Sequence, residues 1–149
     1  MRALIQRVSG ASVTVDGKII SSVNKGLLVF VGIGPMDEEQ DAQWMARKVV
    51  QMRLFSDEQG KMNRSVIEIG GAVLLVSQFT LFASTKKGNR PGFAGAAPPE
   101  VARAVLQRLE YAMKKEGAEV ALGQFGAHMQ VELINDGPVT IWLDSCMPE

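Results

Sequence analysis

The stretch Gly70 to Phe82 (GGAVLLVSQFTLF) constrains the fold more than any other part of the chain. Five apolar residues in a row, Ala72 to Val76, are typical of a strand that is buried on both faces. Polar groups follow at Ser77, Gln78 and Thr80. A buried strand that becomes polar at its exit can hold chemical groups rigidly beside a cleft. Two interpretations are open here: these side chains line a site, or they cap a core strand by bonding to nearby backbone.

The rest of the chain is predicted to contain short strands and two helices. Apolar runs between turn signals predict strands over Leu4–Val8, Ser12–Val15, Lys18–Ser22, Gly26–Ile33, Arg53–Phe55, Glu119–Phe125, Met129–Ile134 and Val139–Leu143, and Ser65–Ile69 is ambiguous. One helix is predicted to start at Asp37, with Gln40 as its capping-box partner. The other enters at Pro98–Pro99 and closes at Gly117. We therefore expect an α/β fold of mixed α+β character, with curved sheet layers and helices on one side.

Length and charge limit the range of functions. The 149 residues predict a single domain over 1–149. Sixteen basic residues balance 16 acidic ones, so any contact with nucleic acid should be local. The one cysteine, Cys146, cannot form an internal disulfide, which fits a reducing compartment. The start MRALIQRVSG lacks the apolar core of a signal peptide, and a cytoplasmic protein is expected.

The inventory of reactive side chains argues against common cofactor chemistry. The one histidine, His128, lies in GAHMQVE, where the alternation favours a half-buried strand residue over a catalytic one. A single His and a single Cys argue against a zinc or iron site. Neither GIGP nor Gly60–Lys61 completes a nucleotide-binding fingerprint. We expect no metal and no cofactor; an enzyme built this way would use backbone donors, a few hydroxyls and its substrate's own groups.

The segment Ala83 to Pro99 is predicted to be a long loop. It carries Lys86, Lys87 and Arg90, followed by the aromatic Phe93. Basic residues beside an aromatic ring suit a short stretch of single-stranded RNA. A solvated loop tip explains the same composition equally well.

Two motifs resemble the signatures of a known family. SQFTL at Ser77–Leu81 and NDGPVT at Asn135–Thr140 together resemble the bacterial and eukaryotic D-aminoacyl-tRNA deacylases. The start MRALIQRVSGASVTVDG, the run GLLVFVGI, the loop TKKGNRPGF and the segment FGAHMQVELINDGPVT are also similar to that family. The resemblance covers residues 1 to about 145 and assigns nothing to the tail from Cys146.

The resemblance implies a three-layer β/β/α domain with a barrel-like sheet, and an editing function. Such enzymes hydrolyse the ester between a D-amino acid, or mischarged glycine, and the 3′ end of tRNA, and spare L-aminoacyl-tRNA. They are homodimers in which Ser77, Gln78, Phe79 and Thr80 would line the pocket. Gly137–Pro138 would enter that pocket from the partner as a Gly-cisPro motif.

Physical arguments extend these expectations. Chiral rejection must depend on what surrounds the α carbon, and rigid backbone carbonyls of Gly137–Pro138 fit that role. Arg7 is expected to hold the motif by charge-assisted bonds, and Lys86, Lys87 and Arg90 to help grip the tRNA end. Thr80 has no obvious base, so the ribose 2′-hydroxyl is expected to assist water attack.

Two other classes of function stay open on the sequence alone. One is a plain RNA-end or nucleotide binding module, and the other is a hydrolase that forms an acyl-enzyme at Thr80 or Ser77.

Overall fold

The computed structural model describes residues 1–148, and within that range it has eight strands, two α-helices and one 3-10 turn. The elements are β1 (Arg2–Val15), β2 (Lys18–Val23), β3 (Gly26–Gly32), α1 (Glu39–Gln51), β4 (Phe55–Ser56), β5 (Met62–Arg64), β6 (Ala72–Ser77), the 3-10 turn (Phe79–Phe82), α2 (Pro99–Lys115), β7 (Glu119–Leu122) and β8 (Gln130–Asp144).

Six strands form one strongly curved sheet in the order β2-β1-β3-β6-β7, with β8 pairing along β1. The β3–β6 and β6–β7 pairs are parallel, and the pairs that β1 makes with β2, β3 and β8 are antiparallel. The two edges of this order approach each other, because Ser21 Oγ on β2 donates a 2.7 Å hydrogen bond to the Leu122 carbonyl on β7. The sheet is therefore a nearly closed barrel, which confirms the predicted mixed α/β fold with two helices.

Two cores divide the molecule into three layers. One core lies between the helices and the sheet and includes Ile5, Val29 and Leu75, which are almost fully buried. The other lies inside the curved sheet and includes Leu28 and Leu74. Neighbouring residues of β3 and β6 thus point into opposite cores, as expected for strands covered on both faces.

The helices follow from their apolar periodicity. The buried face of α1 consists of Ala42, Met45, Ala46, Val49 and Val50, and that of α2 of Val105, Leu109, Ala112 and Met113. The predicted start of α1 is wrong by one residue. Glu38 is the N-cap, and its N–H donates to Asp41 Oδ2 at 2.9 Å, so Asp41 and not Gln40 is the partner of the helix start.

Two predicted breaks in the strands are wrong. Leu4–Val8 and Ser12–Val15 are parts of one strand, β1, and Met129–Ile134 and Val139–Leu143 belong to one strand, β8. The two strands pair along their whole length, and irregular register near Val8 lets both bend from one layer into the other. Pairing between distant segments therefore overrides the local turn signals.

Shorter stretches also differ from the sequence prediction. The ambiguous segment Ser65–Ile69 contributes no strand or helix, and β4 begins only at Phe55. The central strand ends at Ser77 and gives way to the 3-10 turn. Over residues 1–148, none of the helices has both the length and the apolar character that crossing a membrane requires.

Candidate active site

A cleft of about 680 Å³ opens where β6 ends. It is lined by Val31, Ile33, Val76, Ser77, Gln78, Phe79, Phe93, Ala96, Ala97, Pro98, Pro99, Phe125, Gly126, Ala127, His128, Met129 and Val131. Its size and its mostly apolar walls with a few polar groups are typical of a small-molecule or cofactor site. Among residues 1–148, none that lines the cleft is acidic.

The chain turns sharply at the mouth of this cleft. The Gln78 N–H donates to the Val31 carbonyl at 2.7 Å, which extends the β3–β6 ladder by one bond. The Gln78 carbonyl then accepts from Leu81 N–H at 3.2 Å and starts the 3-10 turn. Phe79 and Thr80 open that turn, and the first N–H groups of a helical turn have no acceptor within it.

Arg2 and the close packing at Gly32 hold the 3-10 turn in place. Arg2 donates from Nη1 to the Leu81 carbonyl at 3.0 Å, and its guanidinium lies 4.5 Å from the centre of the Phe82 ring. Its Nε also pairs with Asp144 Oδ2 at 3.1 Å. A Cβ at Gly32 would lie 3.0 Å from the Gln78 carbonyl oxygen and 3.1 Å from the Phe82 ring, so the turn packs closely on β3.

The predicted pocket residues do not all face the cleft. Ser77, Gln78 and Phe79 line it, whereas the exposed Thr80 lies outside the lining. The Thr80 hydroxyl accepts a hydrogen bond from the Gln78 amide nitrogen. No carboxylate or imidazole hydrogen-bonds to Thr80 within residues 1–148, so this part of the chain contains no nucleophile–base pair there.

The basic loop lies next to this cleft. Phe93 meets Phe79 edge to face, with ring centres 5.1 Å apart. Backbone bonds between Ser84 and Gly92 close the loop, and the exposed Lys86, Lys87 and Arg90 lie between these two residues. The loop thus supplies one wall of the cleft and carries its three cations outside it.

The second motif forms a bulge in β8. Gln6 pairs with Thr140 but Val8 pairs with Asn135, so β8 has three more residues than β1 in this interval. Asn135 closes the bulge, because its Nδ2 donates to the Val139 carbonyl at 3.0 Å and to the Arg7 carbonyl at 3.2 Å. Gly137 and Pro138 lie exposed at its tip, and the peptide bond between them is cis.

Arg7 holds the base of this bulge. Its Nε donates to the Asp136 carbonyl at 2.8 Å, and the same nitrogen lies 3.5 Å from Asp136 Oδ2. Its Nη1 donates to the Leu54 carbonyl. The Arg7 side chain is only 14% exposed, so it is a fixed support and not a mobile surface group.

The two motifs lie far apart within one chain. Ser77 is in register with Val31 and Ala3, whereas Arg7 lies four residues further along β1, in register with Leu27. Strands β6 and β8 are separated by β3 and β1. At about 3.3 Å per residue and about 4.8 Å per strand, this places the bulge on the order of 20 Å from Ser77 along the sheet.

Several residues at or near these sites were not found from the sequence. His128 was predicted to be a half-buried strand residue, but it is exposed, precedes β8 and lines the cleft. Phe125 lies in the same connection and not at the end of a strand as predicted. Asn135 and Arg2 donate hydrogen bonds to backbone carbonyls that are distant in the sequence, which no local pattern can show. Conservation of these two residues among homologues would be the signal that identifies them. Within residues 1–148, no three His, Cys, Asp or Glu side chains are grouped to hold a metal ion.

Comparison with known proteins identifies the family. A family model described as D-Tyr-tRNA(Tyr) deacylase matches residues 4–144. The chain belongs to this deacylase family. A D-aminoacyl-tRNA deacylase from Thermomicrobium roseum is 54% identical over 145 residues, which cover 97% of this chain and 94% of the relative.

Solved structures agree on the fold. The structure named c-Myc DNA Unwinding Element Binding Protein matches with a TM-score of 0.92 and 41% identity, over 97% of this chain and 98% of that one. A structure described as a probable eukaryotic D-amino acid tRNA deacylase matches with a TM-score of 0.79 and 15% identity, over 95% and 97%. The second likeness shows the fold alone.

Proposed function

We propose that this deacylase family member edits aminoacyl-tRNA. It hydrolyses the ester between a D-amino acid and the tRNA 3′ end, releases both products, removes mischarged glycine in the same way and leaves L-aminoacyl-tRNA intact. The observation that carries the proposal is the cleft at Ser77–Phe79, which opens at the family's own motif and is of a size for an aminoacylated nucleoside.

The chemistry of the cleft favours attack by water over a covalent intermediate. Thr80 lies outside the lining, and its hydroxyl is bonded to the Gln78 amide and not to a base. The opening N–H groups of the 3-10 turn, at Phe79 and Thr80, can stabilise the developing oxyanion, an effect of about 3–4 kcal/mol per donor in known systems. The ribose 2′-hydroxyl next to the ester assists the attacking water, so the substrate supplies the assisting group that residues 1–148 do not place beside Thr80.

The bulge at Gly137–Pro138 is the proposed chiral filter. Both enantiomers carry the same side chain, so discrimination has to come from the groups around the α carbon. Backbone carbonyls on a rigid bulge can accept from the substrate's amino group and leave no room for an L side chain. Glycine passes because it has no side chain to exclude. The bonds from Arg7 and Asn135 give the bulge the rigidity that this role requires.

The filter and the pocket are brought together by a homodimer. The bulge is exposed and lies on the order of 20 Å from Ser77 of its own chain along the sheet, as estimated from the strand spacings. In a two-fold dimer each subunit can insert its bulge into the other's cleft. The same β8 strand exposes the apolar Ile134 and Trp142, and the cleft mouth exposes Phe79. Apolar groups of this kind are suited to a subunit interface.

Hydrolysis of matched substrates tests the proposal most simply. Purified protein is incubated with D-tyrosyl-tRNA, L-tyrosyl-tRNA and glycyl-tRNA, and release of the amino acid is followed. The D and glycyl esters should be cleaved and the L ester spared. Equal rates on D and L esters would refute the chiral filter, and no release from any of them would refute the deacylase function.

A second candidate is binding of single-stranded nucleic acid without hydrolysis. The solved structure at 41% identity is named a DNA-binding protein, and the aromatic cleft with basic residues nearby is compatible with base stacking. Tight binding of a single-stranded oligonucleotide, together with no deacylation of any substrate, would favour this candidate.

A further inference from the structure

Arg103 and Phe125 form a stacked pair at the rim of the cleft. Phe125 is half-buried and lines the cleft, in the connection between β7 and β8. The guanidinium of Arg103, an exposed residue in the first half of α2, lies 4.7 Å from the centre of the Phe125 ring. Stacking on an aromatic face orients the guanidinium and leaves its N–H edges free for other partners.

Arg103 has no ion-pair partner among residues 1–148. Arg2 and Arg7 each pair with an aspartate and donate to a backbone carbonyl. Among residues 1–148, no carboxylate lies within ion-pairing distance of Arg103, and no side-chain hydrogen bond involves it. The cleft that its partner ring lines has no acidic residue either. The rim therefore presents an oriented cation with open donors, beside an apolar cavity.

We propose that Arg103 and Phe125 form a phosphodiester-binding subsite. It holds the linkage that joins the terminal nucleoside in the cleft to the preceding nucleotide, while the cleft holds the nucleoside and its amino acid. The proposal rests on the function proposed above. A guanidinium matches a phosphate by two parallel N–H···O bonds, and the aromatic ring beneath it fixes the direction of that fork.

This subsite is separate from the basic loop. Lys86, Lys87 and Arg90 lie in the loop that Ser84 and Gly92 close and are not part of the cleft lining, whereas Phe125 and Arg103 come from the β7–β8 connection and α2. Within residues 1–148, no aromatic ring and no side-chain hydrogen bond fixes the direction of the loop cations. We therefore assign the specific phosphate contact to Arg103 and a diffuse attraction to the loop.

The test compares two substrates and three variants. The substrates are D-tyrosyl-tRNA and 3′-O-(D-tyrosyl)adenosine, which lacks the phosphodiester. The variants are Arg103→Ala, Arg103→Lys and the control Arg108→Ala, an exposed arginine on the same helix that does not contact Phe125. Arg103→Ala should lower kcat/KM for the tRNA about tenfold more than for the adenosine ester, through KM.

Salt dependence gives a second readout that a merely structural role would not change. The slope of log(kcat/KM) against log[salt] for the tRNA should decrease by about 0.7 in Arg103→Ala, the value for one lost contact to a single strand. Arg103→Lys should restore the slope but only part of the rate, because lysine keeps the charge without the planar fork. Arg108→Ala should match the unmodified protein in both readouts.

Other results overturn the subsite. If Arg103→Ala lowered kcat/KM equally for both substrates, Arg103 would support the cleft itself and not bind the phosphodiester. If Arg108→Ala had the same effect as Arg103→Ala, the loss would come from the overall positive charge of the helix and not from a specific subsite. If the unmodified protein cleaves neither ester, the proposed function fails, and anisotropy with a short RNA that ends in CCA-3′ decides the subsite separately. RNA binding that is weaker only in the Arg103 variants would then support the subsite, and unchanged RNA binding would refute it.

Discussion

Strand β1 supports both motifs, but the motif at Ser77–Leu81 borders a cleft and the motif at Asn135–Thr140 forms an exposed bulge. Arg2 and Arg7, five positions apart on β1, each donate to a backbone carbonyl and each pair with an aspartate. Arg2 supports a turn that lines a concave cleft, whereas Arg7 supports a bulge that projects into solvent. One chain thus carries a concave cleft at one motif and an exposed, rigidly held bulge at the other. This difference is what a site completed by two subunits requires.

The largest effect is expected from Gly137→Ala. A Cβ at this position would lie 2.1 Å from the Val139 nitrogen, so the backbone of the bulge has to move. A displacement of about 1 Å in a positioning group can reduce turnover on the order of 100-fold. Deacylation of D-tyrosyl-tRNA measures this loss, and the circular dichroism spectrum should stay unchanged.

Gly10→Ala is the matched control for this variant. A Cβ at Gly10 would meet only the Val23 carbonyl oxygen, at 3.7 Å, which is an ordinary contact. Its activity should therefore be near that of the unmodified protein. Full activity in Gly137→Ala would show that the shape of the bulge does not matter for turnover, and it would contradict a role for the bulge in the active site.

A smaller loss is expected from Arg7→Gln. The change removes the charge-assisted bonds to the Asp136 and Leu54 carbonyls, and each such bond contributes about 1.5–3 kcal/mol. The kcat for D-tyrosyl-tRNA should fall about tenfold or more, because the bulge loses its fixed position. Arg53→Gln, which removes an exposed bond to Asn63, should leave kcat unchanged. Equal kcat values for the two variants would contradict a positioning role for Arg7.

Thr80→Ala should have only a modest effect. Thr80 is outside the cleft lining, and within residues 1–148 no carboxylate or imidazole bonds to its hydroxyl, so its loss should change kcat within about threefold, far less than loss of an activated nucleophile. A substrate whose terminal ribose lacks the 2′-hydroxyl should react far more slowly with either protein. An inactive Thr80→Ala protein that is fully folded, together with normal turnover of the 2′-deoxy substrate, would restore covalent catalysis.

The smallest effect concerns stability away from both motifs. Burial alone would raise the pKa of Asp41, but hydrogen bonds from the Glu38 N–H and the Ser145 hydroxyl outweigh it and leave the pKa below its ordinary value of 3.8. A lowered pKa means stabilisation that is present above about pH 4 and is lost as the pH falls further. Asp41→Asn should therefore lower Tm more at pH 7 than at pH 3, with deacylation at pH 7 retained. An equal change in Tm at both pH values would contradict this assignment.

The sequence predicted the layers and the position of the cleft but not the direction of every side chain. The apolar run Ala72–Val76 and its polar exit left two interpretations open, and only the resemblance to the deacylases favoured a pocket at Ser77 to Thr80; the structure shows a cleft lined by Ser77, Gln78 and Phe79. They could not show that the chain enters a 3-10 turn there, because the turn depends on Arg2 and on the close approach of Gly32. Thr80 lies in this turn and outside the cleft lining.

At the second motif, Asn135–Thr140, the local sequence pattern gave the wrong prediction. Asn135 to Pro138 was predicted to be a turn between two strands, since its local composition favours one. The structure keeps one strand through it, because pairing with β1 on both sides fixes the ends and leaves the surplus residues as a bulge. Such pairing is set by the whole sheet and cannot be recovered from a window of a few residues.

The central claim is that each site combines the cleft of one subunit with the bulge of the other, and mixed dimers test it most directly. Gly137→Ala damages the bulge, and Ala96→Trp fills the cleft that Ala96 lines. Each variant alone should be inactive. After mixing and subunit exchange, half of the dimers carry one intact cleft facing one intact bulge, so activity on D-tyrosyl-tRNA should recover to about a quarter of the unmodified value. No recovery, with mixed dimers confirmed by native mass spectrometry, would mean that the bulge serves its own subunit and that the account is wrong.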